Sequence, residues 1–341
     1  MRALVTGGGG FLGGAIVRQL RDRGDTVRSF SRHHYDELEN LGVEQRRGDL
    51  ADAAAVADAV EGCDLVFHVA AKAGVWGPAD EYFRANVVGT RNVLAACRRH
   101  GVRRLVFTSS PSVIGSGRDI HGDNESLPYP GEYTAEYPRT KAIAEAEVLR
   151  SNCPELATVA LRPHLIWGPG DPHLLPRLIV RAKAGRLRQV GDGQNTVDIT
   201  YVDNAAAAHL LAADRLVAGS PIAGRAYFIS QGEPVPLWPF INQVLELAGV
   251  PPATRRMPAG LAYTAGTMFE ALYKLFRIRS EPPMTRFLAQ QLSTSHWFDI
   301  SAARRNLGYV PVISTDEGLR RLATWLSGPG ARKSAIVRGS P

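Results

Sequence analysis

Short apolar runs alternate with longer helix-like stretches through the first half of the chain. The helix-like stretches include Ala51–Val60, Phe83–Arg99 and Tyr137–Arg150. The apolar runs have the length and composition of buried strands. They are Arg2–Thr6, Val27–Phe30, Asp64–Val69, Arg104–Ser109 and Thr158–Arg162. This alternation predicts an α/β fold with a parallel sheet, because parallel strands are joined by helical crossovers.

A glycine-rich turn separates the first strand from the first helix. Arg2–Thr6 leads through Gly7–Gly14 into the helix-like Ala15–Leu20. Strand, glycine turn and helix in this order are typical of a dinucleotide-binding Rossmann-type fold, a doubly wound parallel sheet. The glycines permit a tight turn, a close approach to the pyrophosphate and packing of helix on strand; a merely flexible loop is the alternative. The turn residues expected at the cofactor are Gly7, Gly10, Phe11, Leu12 and Gly13.

The regular alternation fades after residue 165, where proline- and glycine-rich pieces break the chain into short elements. We therefore predict a cofactor-binding Rossmann domain over residues 1–165, with return segments near 195–230. Within these, Ala226–Ile229 is a candidate for a last strand of the sheet. Residues 166–327 are expected to form mainly a smaller substrate-binding lobe, and residues 328–341 a disordered tail.

The composition is that of a globular enzyme. A hydrophobic fraction of 45 % and a charged fraction of 21 % are ordinary values. The net charge of +7 is dispersed over arginine pairs without a long basic run, which favours solvated surfaces over a basic binding patch. We expect no nucleic-acid partner. Cys63, Cys97 and Cys153 lack metal-ligand spacing, so we expect no metal site and a reducing compartment.

A cytoplasmic location is expected from the ends and the apolar stretches of the chain. The first residues already belong to the first strand, so no cleavable signal is expected. A spanning helix needs about 18 uninterrupted apolar residues. The nearest candidate, Ala259–Phe276, is interrupted by Glu270 and Lys274.

One tyrosine and one lysine have a spacing that favours catalysis. Of the ten tyrosines, only Tyr137 is followed four residues later by a lysine, Lys141. On a helix this spacing places both side chains on one face. An ammonium beside a phenol lowers the pKa of the phenol, which suits a group that protonates a carbonyl oxygen while a hydride reaches the carbon. A half-buried aromatic on an ordinary helix is the alternative interpretation of Tyr137.

The order of these motifs resembles the extended short-chain dehydrogenase/reductase family, in its 3β-hydroxysteroid and sterol-4-carboxylate dehydrogenase branch. The resemblance extends from residue 1 to about residue 325. It implies that Ser110, in Thr108-Ser109-Ser110, is the catalytic serine that donates a hydrogen bond to the substrate oxygen, although a strand-end cap is the simpler interpretation of this serine alone. The resemblance also implies a structural role for Asn86. The further cofactor contacts that it implies are Asp49, Leu50, Ala70, Ala71, Tyr137, Lys141 and Pro163.

Two short segments narrow the resemblance. Ala71–Gly77 and Pro282–Phe287 are similar to the bacterial 2-alkyl-3-oxoalkanoate reductases of long-chain olefin biosynthesis. This implies NADP(H)-dependent reduction of the ketone of a long-chain 2-alkyl-3-oxoalkanoate to the 3-hydroxyacid, with Tyr137 as proton donor. It also implies contact with other enzymes of the same pathway. We expect the protein to be a homo-oligomer.

Other functions stay open at this point. The chain could be an NAD-dependent 3β-hydroxysteroid or sterol dehydrogenase, a nucleotide-sugar epimerase, or a cofactor-sensing protein without catalysis. The combination of Ser110, Tyr137 and Lys141 argues against a sensor, which needs no proton donor. The predicted lobe is rich in large apolar residues, which suits a long apolar substrate better than a sugar nucleotide.

The end of the second strand indicates the cofactor. An acid at this position binds the ribose 2′-hydroxyl of NAD in the related NAD-dependent enzymes. Here Ser31 occupies that place and Arg32 follows it. A guanidinium matches the geometry of a 2′-phosphate, so we expect NADP(H) in preference to NAD(H). An exposed arginine in a basic loop is the alternative.

The segment Leu261–Arg279 has an apolar stripe with a basic end. In one interpretation the stripe packs on the core of the lobe. In the other it forms a substrate entrance that contacts a membrane surface or a partner enzyme.

Overall fold

The computed structural model describes residues 1–115 and 117–328. The strands, in chain order, are β1 (Arg2–Thr6), β2 (Thr26–Ser31), β3 (Glu44–Arg47), β4 (Leu65–His68), β5 (Arg104–Thr108), β6 (Ile120–Asp123), β7 (Ala157–Pro163), β8 (Ile166–Trp167), β9 (Gln189–Val190), β10 (Thr196–Val197), β11 (Thr200–Tyr201), β12 (Arg225–Ile229), β13 (Val235–Pro236), β14 (Arg256–Met257) and β15 (His296–Phe298). The helices are α1 (Phe11–Asp22), α2 (Asp36–Asn40), α3 (Ala53–Val60), α4 (Ala79–Tyr82), α5 (Gly89–Arg99), α6 (Glu136–Arg150), α7 (Leu174–Lys183), α8 (Val202–Arg215), α9 (Leu237–Leu247), α10 (Ala259–Leu275), α11 (Arg286–Ser293), α12 (Ser301–Leu307) and α13 (Thr315–Ser327). Phe83–Val88 forms a π-helix and Pro111–Ile114 a 3₁₀-helix.

The largest sheet has seven parallel strands in the order β12-β7-β5-β4-β1-β2-β3. The chain winds one way from β1 to β3 and the other way from β4 onwards. In such a sheet the crevice at the carboxyl ends of the two central strands, here β1 and β4, is the usual place for a ligand. The predicted Rossmann-type sheet is confirmed.

Helices cover both faces of this sheet, which explains why its central strands β1, β4 and β5 are almost continuously apolar. Successive side chains of β1 point to opposite faces. Ala3 and Val5 belong to a core that includes residues of α1 and α8, whereas Leu4 belongs to a second core with residues of α3 and α5.

The later part of the chain contributes both to the large sheet and to smaller ones. The strand β12 pairs with β7 at the edge of the large sheet, with Ala226 opposite Ala160. A four-stranded sheet (β13-β10-β15-β6) and two pairs of short strands lie outside it. The division into a cofactor domain and a substrate lobe stays a prediction.

Two expectations concern the ends and surfaces of the chain. The predicted disordered tail lies outside the described residues, apart from Gly328. Within residues 1–115 and 117–328, no helix is both long and apolar enough to cross a bilayer.

Candidate active site

The glycine turn is built so that side chains would not fit. The N–H of Gly7 donates to the carbonyl of Phe30 at 2.8 Å, and Gly7 has a φ of +73°, a conformation that favours glycine. A Cβ on Gly7 would lie 3.1 Å from Cα of Ala70, and one on Gly13 would overlap the carbonyl of Gly7. The close approach of backbone atoms thus explains why both positions are glycine.

The turn leads into a helix N-terminus suited to an anion. Gly10 is the N-cap of α1 and makes no side-chain cap hydrogen bond. The first N–H groups of a helix have no partner within it, and they attract negative charge. The tight turn that Gly7 and Gly13 permit and the uncapped start of α1 together fit the pyrophosphate of a dinucleotide. Phe11 and Leu12, which were expected in the loop before the helix, form the start of α1 instead.

The hydroxyl of Thr6 holds the loop after β4 in place. The Oγ1 of Thr6 accepts from the N–H groups of Val69 and Ala70, both at 3.1 Å. It also lies 2.9 Å from Nδ1 of His68, whose Nε2 lies 3.0 Å from Oγ1 of Thr90. Burial, reinforced by the charge of Lys141, lowers the pKa of His68 to about 3 and keeps the ring neutral. The backbone of Ala70 thereby stays against Gly7.

The predicted catalytic residues come together at the carboxyl edge of the sheet. Ser110 lies just beyond β5 and caps the 3₁₀-helix, because its Oγ accepts from the N–H of Ser112 at 3.2 Å. Tyr137 is the second residue of α6, so Pro138 falls in the first turn, where proline is tolerated. A hydrogen bond from Ser110 lowers the pKa of Tyr137, but burial outweighs it and the pKa is raised overall. Ser110 thus caps the 3₁₀-helix and is also the hydrogen-bond partner of Tyr137.

Lys141 is buried against the end of β5. The predicted lowering of the Tyr137 pKa by Lys141 stays a prediction: burial raises that pKa overall, and Ser110 is the group that opposes the rise. The Nζ of Lys141 donates to the carbonyl of Thr108 at 2.5 Å and lies 3.9 Å from the centre of the Phe107 ring. Burial lowers the pKa of Lys141 to about 7, against the opposing charge of Glu145. The ammonium is therefore only partly charged at neutral pH.

The residues predicted to contact the adenine side of the cofactor lie at the end of β2 or just after β2 and β3. Ser31 ends β2, one residue after the Phe30 carbonyl that holds Gly7. Arg32 is exposed and makes no ion pair with any described residue. The carboxylate of Asp49 accepts from the N–H of Ala51 at 2.9 Å and lies 3.4 Å from the guanidinium of Arg84. Asp49 closes a turn, whereas the N-cap of α3 is Asp52.

The remaining predicted residues occupy supporting positions. A Cβ on Gly89 would lie 2.7 Å from Cβ of Leu50, so Leu50 packs against the start of α5. Ala71 is exposed beside Ala70, and Pro163 is buried at the end of β7.

A cavity of about 460 Å³ adjoins the start of the catalytic helix. One wall comprises residues 133–136, immediately before Tyr137, and another comprises residues 75–79. The opposite side is formed by Tyr273, Lys274 and residues 277–279 at the end of α10. Substrate-sized space therefore lies beside the residues that precede α6 and the basic segment at the end of α10.

Comparison with known proteins identifies the family. Residues 4–259 match the 3-beta hydroxysteroid dehydrogenase/isomerase family. The chain belongs to this family. It is 55 % identical to a 2-alkyl-3-oxoalkanoate reductase of Stenotrophomonas maltophilia strain K279a, covering 94 % of this chain and 98 % of that protein. A 2-alkyl-3-oxoalkanoate reductase of Shewanella oneidensis is 50 % identical over 94 % and 85 %. The mouse sterol-4-alpha-carboxylate 3-dehydrogenase, decarboxylating, is 34 % identical over 94 % and 89 %.

Solved structures agree with this placement. The crystal structure of gox2253 matches with a TM-score of 0.77 and 30 % identity, covering 95 % of this chain and 97 % of that one. MoeE5 in complex with UDP-glucose and NAD matches with a TM-score of 0.72 and 27 % identity, covering 95 % and 98 %. The family member described here is thus an NAD(P)-dependent oxidoreductase of the short-chain dehydrogenase/reductase type, as predicted.

Sequence reasoning gave Asn86 a structural role and missed the buried His209. Asn86 has that structural role: it accepts from the N–H of Lys72 at 2.7 Å and donates to Thr140 at 3.0 Å, so it joins the loop after β4 to α6. Oγ1 of Thr108 lies 2.8 Å from Nε2 of the buried His209 on α8. Asn86 lies in the π-helix Phe83–Val88, an irregularity of a kind that occurs often at functional sites.

Proposed function

We propose that this protein is an NADP(H)-dependent reductase of 2-alkyl-3-oxoalkanoates, which converts the 3-ketone to the 3-hydroxyacid. The observation that carries the proposal is the 55 % identity, over nearly the whole length of both chains, to a reductase of that name. The gathering of Ser110 and Tyr137 at the carboxyl edge of the sheet that also carries the glycine turn supplies the chemistry.

The proton chemistry favours reduction. A bound reduced nicotinamide supplies the hydride. The negative charge that develops on the ketone oxygen is met by the hydroxyl of Ser110, and a preplaced donor of this kind contributes about 2.7–4 kcal/mol. The phenolic proton of Tyr137 moves to the same oxygen. Because burial raises the pKa of Tyr137, the resting phenol is protonated, as a reduction requires.

The charge around the cavity suits an acid. Lys274, Arg277 and Arg279 line it, and none has an ion-pair partner among the residues the structure describes. By contrast, Arg286 is paired with Glu270 at 2.8 Å. The three free cations match the carboxylate of a 3-oxoacid. The name of the sterol relative also places a carboxylate on C4, the carbon adjacent to the reacting C3. A simple keto-steroid carries no such carboxylate.

The proposed preference for NADP(H) rests on Ser31 and Arg32. The exposed guanidinium of Arg32 follows the strand whose Phe30 carbonyl holds the glycine turn. It is free to pair with a 2′-phosphate. We expect Arg32→Ala to weaken NADPH binding at least about tenfold and NADH binding little. Fluorescence titration of both cofactors measures this, with Arg99→Ala as control, because Arg99 is exposed at the end of α5, near the amino end of β5.

The reaction itself is tested by following NADPH absorbance with a panel of substrates. We expect turnover with 2-alkyl-3-ketoacids of increasing chain length and little with keto-steroids or nucleotide sugars. Replacing Arg277 and Arg279 with glutamine should raise KM for the ketoacids with a smaller effect on kcat. Preferred turnover of a keto-steroid, or identical kinetics in the double variant, would refute the proposal.

A further inference from the structure

The helix α10 packs through its small residues and exposes its large ones. Ala262, Gly266 and Glu270 form its buried face. A Cβ on Gly266 would lie 2.6 Å from the backbone of Thr285, so only glycine permits this approach of α10 to the start of α11. Glu270 holds the contact by accepting from the N–H of Arg286 at 2.7 Å. Packing on the lobe, one of the two interpretations of this segment, therefore applies to the small residues only.

The large apolar residues form a stripe on another side of the helix. Leu261, Met268 and Leu275 follow one another at seven-residue intervals and are 58 %, 54 % and 73 % exposed. Leu272 and Phe276 lie beside them on the helical surface, and Phe276 is 66 % exposed. A concentration of exposed apolar side chains on one element marks an interaction surface.

Most charged residues of the segment that carries this stripe are positive. Residues 255–279 contain five cations and one carboxylate, that of Glu270, which is buried and paired. Arg255 and Arg256 precede the helix, and Lys274, Arg277 and Arg279 are at its other end. An apolar stripe flanked by cations is the pattern of a helix that lies in the headgroup region of an anionic bilayer.

A second copy of the chain fits this surface poorly. Self-association about a twofold axis would bring the same surface of each copy together. Because both ends of the helix are positive, a parallel or an antiparallel pairing would place cations against cations, which is unfavourable. A lipid surface meets no such repulsion.

We propose that α10 docks the protein on an anionic lipid surface and places the mouth of the cavity against it. The cavity is lined by Tyr273 and Lys274 of the same helix, so a long-chain molecule leaving the lipid would reach it at the end of the stripe. This inference is independent of the substrate proposed above.

The test is co-sedimentation of the full-length protein with vesicles, either phosphatidylglycerol and phosphatidylcholine in equal parts or phosphatidylcholine alone. We expect binding to the anionic vesicles. The triple variant Leu261→Ser, Met268→Ser, Leu275→Ser should lose at least about tenfold in binding. A matched triple variant at Val217, Val310 and Val312, which are 56 %, 67 % and 82 % exposed on other parts of the molecule, should bind as wild type.

Further measurements separate the possible outcomes. Arg255→Glu with Arg256→Glu should weaken binding to anionic vesicles and lower its sensitivity to salt, since three of the five cations remain. Wild type that stays in the supernatant, or a stripe variant that binds like wild type, would overturn the proposal. So would gel filtration showing that the stripe variant breaks an oligomer into monomers. If the protein binds vesicles but reduces no ketoacid, the proposed reaction is refuted and the docking proposal stands.

Discussion

At the scale of single residues, Tyr137 is the proposed proton donor, so we expect turnover to depend on it most directly. Tyr137→Phe removes only the proton donor, so we expect kcat to fall by about 10²–10⁴-fold. Cofactor affinity should stay within about twofold, because the glycine turn is unchanged. Steady-state kinetics and a cofactor titration measure the two effects. Tyr263→Phe on α10 is the control, and turnover of Tyr137→Phe close to that of this control would contradict the assignment.

Lys141 should affect stability as well as catalysis. Its pKa of about 7 in the folded protein lies below the ordinary value of 10.5, so the unfolded chain binds more protons between these values. Burial of the amine therefore destabilises the fold fully below pH 7, and the penalty shrinks as pH rises towards 10.5. We expect Lys141→Met to be inactive but more stable than wild type at pH 7, with a smaller difference at pH 9.5.

Urea unfolding at the two pH values measures this difference. Lys183→Met, which replaces an exposed lysine on α7, is the control and should show little change at either pH. A Lys141→Met variant that is less stable than wild type at pH 7 would mean that the hydrogen bond to Thr108 outweighs the cost of burying the amine.

At the scale of elements, two adjacent glycines of α1 have opposite expected effects. A Cβ at Gly13 would overlap the carbonyl of Gly7, whereas one at Gly14 would lie 3.4 Å from the guanidinium of Arg18. We expect Gly13→Ala to abolish cofactor binding and lower stability. Gly14→Ala should bind cofactor and gain up to about 1 kcal/mol, because alanine favours a helix. Cofactor titration and urea unfolding test the pair, and equal effects would contradict the turn geometry.

A buried ion pair connects α6 to β7. The guanidinium of Arg162 donates to Glu145 at 2.6 and 2.9 Å, and Tyr129 donates to the same carboxylate. Glu145→Gln leaves a buried charge unpaired, so we expect a loss of about 3–5 kcal/mol in unfolding free energy. Glu147→Gln on the same helix breaks only the pair with the more exposed Arg91 and should cost less than about 1 kcal/mol. Similar losses in both variants would contradict this contrast.

At the scale of the whole molecule, buried histidines make the fold sensitive to acid. Burial lowers the pKa of His68 to about 3 and of His209 to about 4, and it also lowers the pKa of His164 and His296. Below the ordinary value of 6.5 the unfolded chain binds more protons, so stability is fully present above pH 6.5 and falls as pH drops from there towards 4. Asp198, whose pKa burial raises to about 6, opposes this trend.

Unfolding free energies at pH 7.5 and 5 check this expectation. His209→Gln should show a shallower dependence than wild type, because it removes one of the four neutral imidazoles. A free energy of unfolding that stays constant between the two pH values in wild type would contradict the argument.

Most of the fold and the centre of the site could be predicted from the sequence. The apolar runs of β1, β4, β5 and β7 and the glycines of the first turn depend on local chemistry, namely strand length, burial on both faces and missing side chains. The YxxxK spacing depends on the period of a helix. These are properties that a few neighbouring residues carry by themselves.

The surroundings of the site depended on the tertiary structure. Whether Lys141 is charged depends on how deeply α6 buries it against Thr108, and no spacing records that depth. Asn86 joins a loop and a helix that are distant in sequence. The exposed side of α10 was undetermined, because periodicity shows that a stripe exists and the packing of Gly266 on Thr285 decides which side meets solvent. The sequence by itself thus determined the fold and the cofactor turn, while burial and long-range contacts decided the proton chemistry and the surface, since both depend on neighbours that the chain order does not specify.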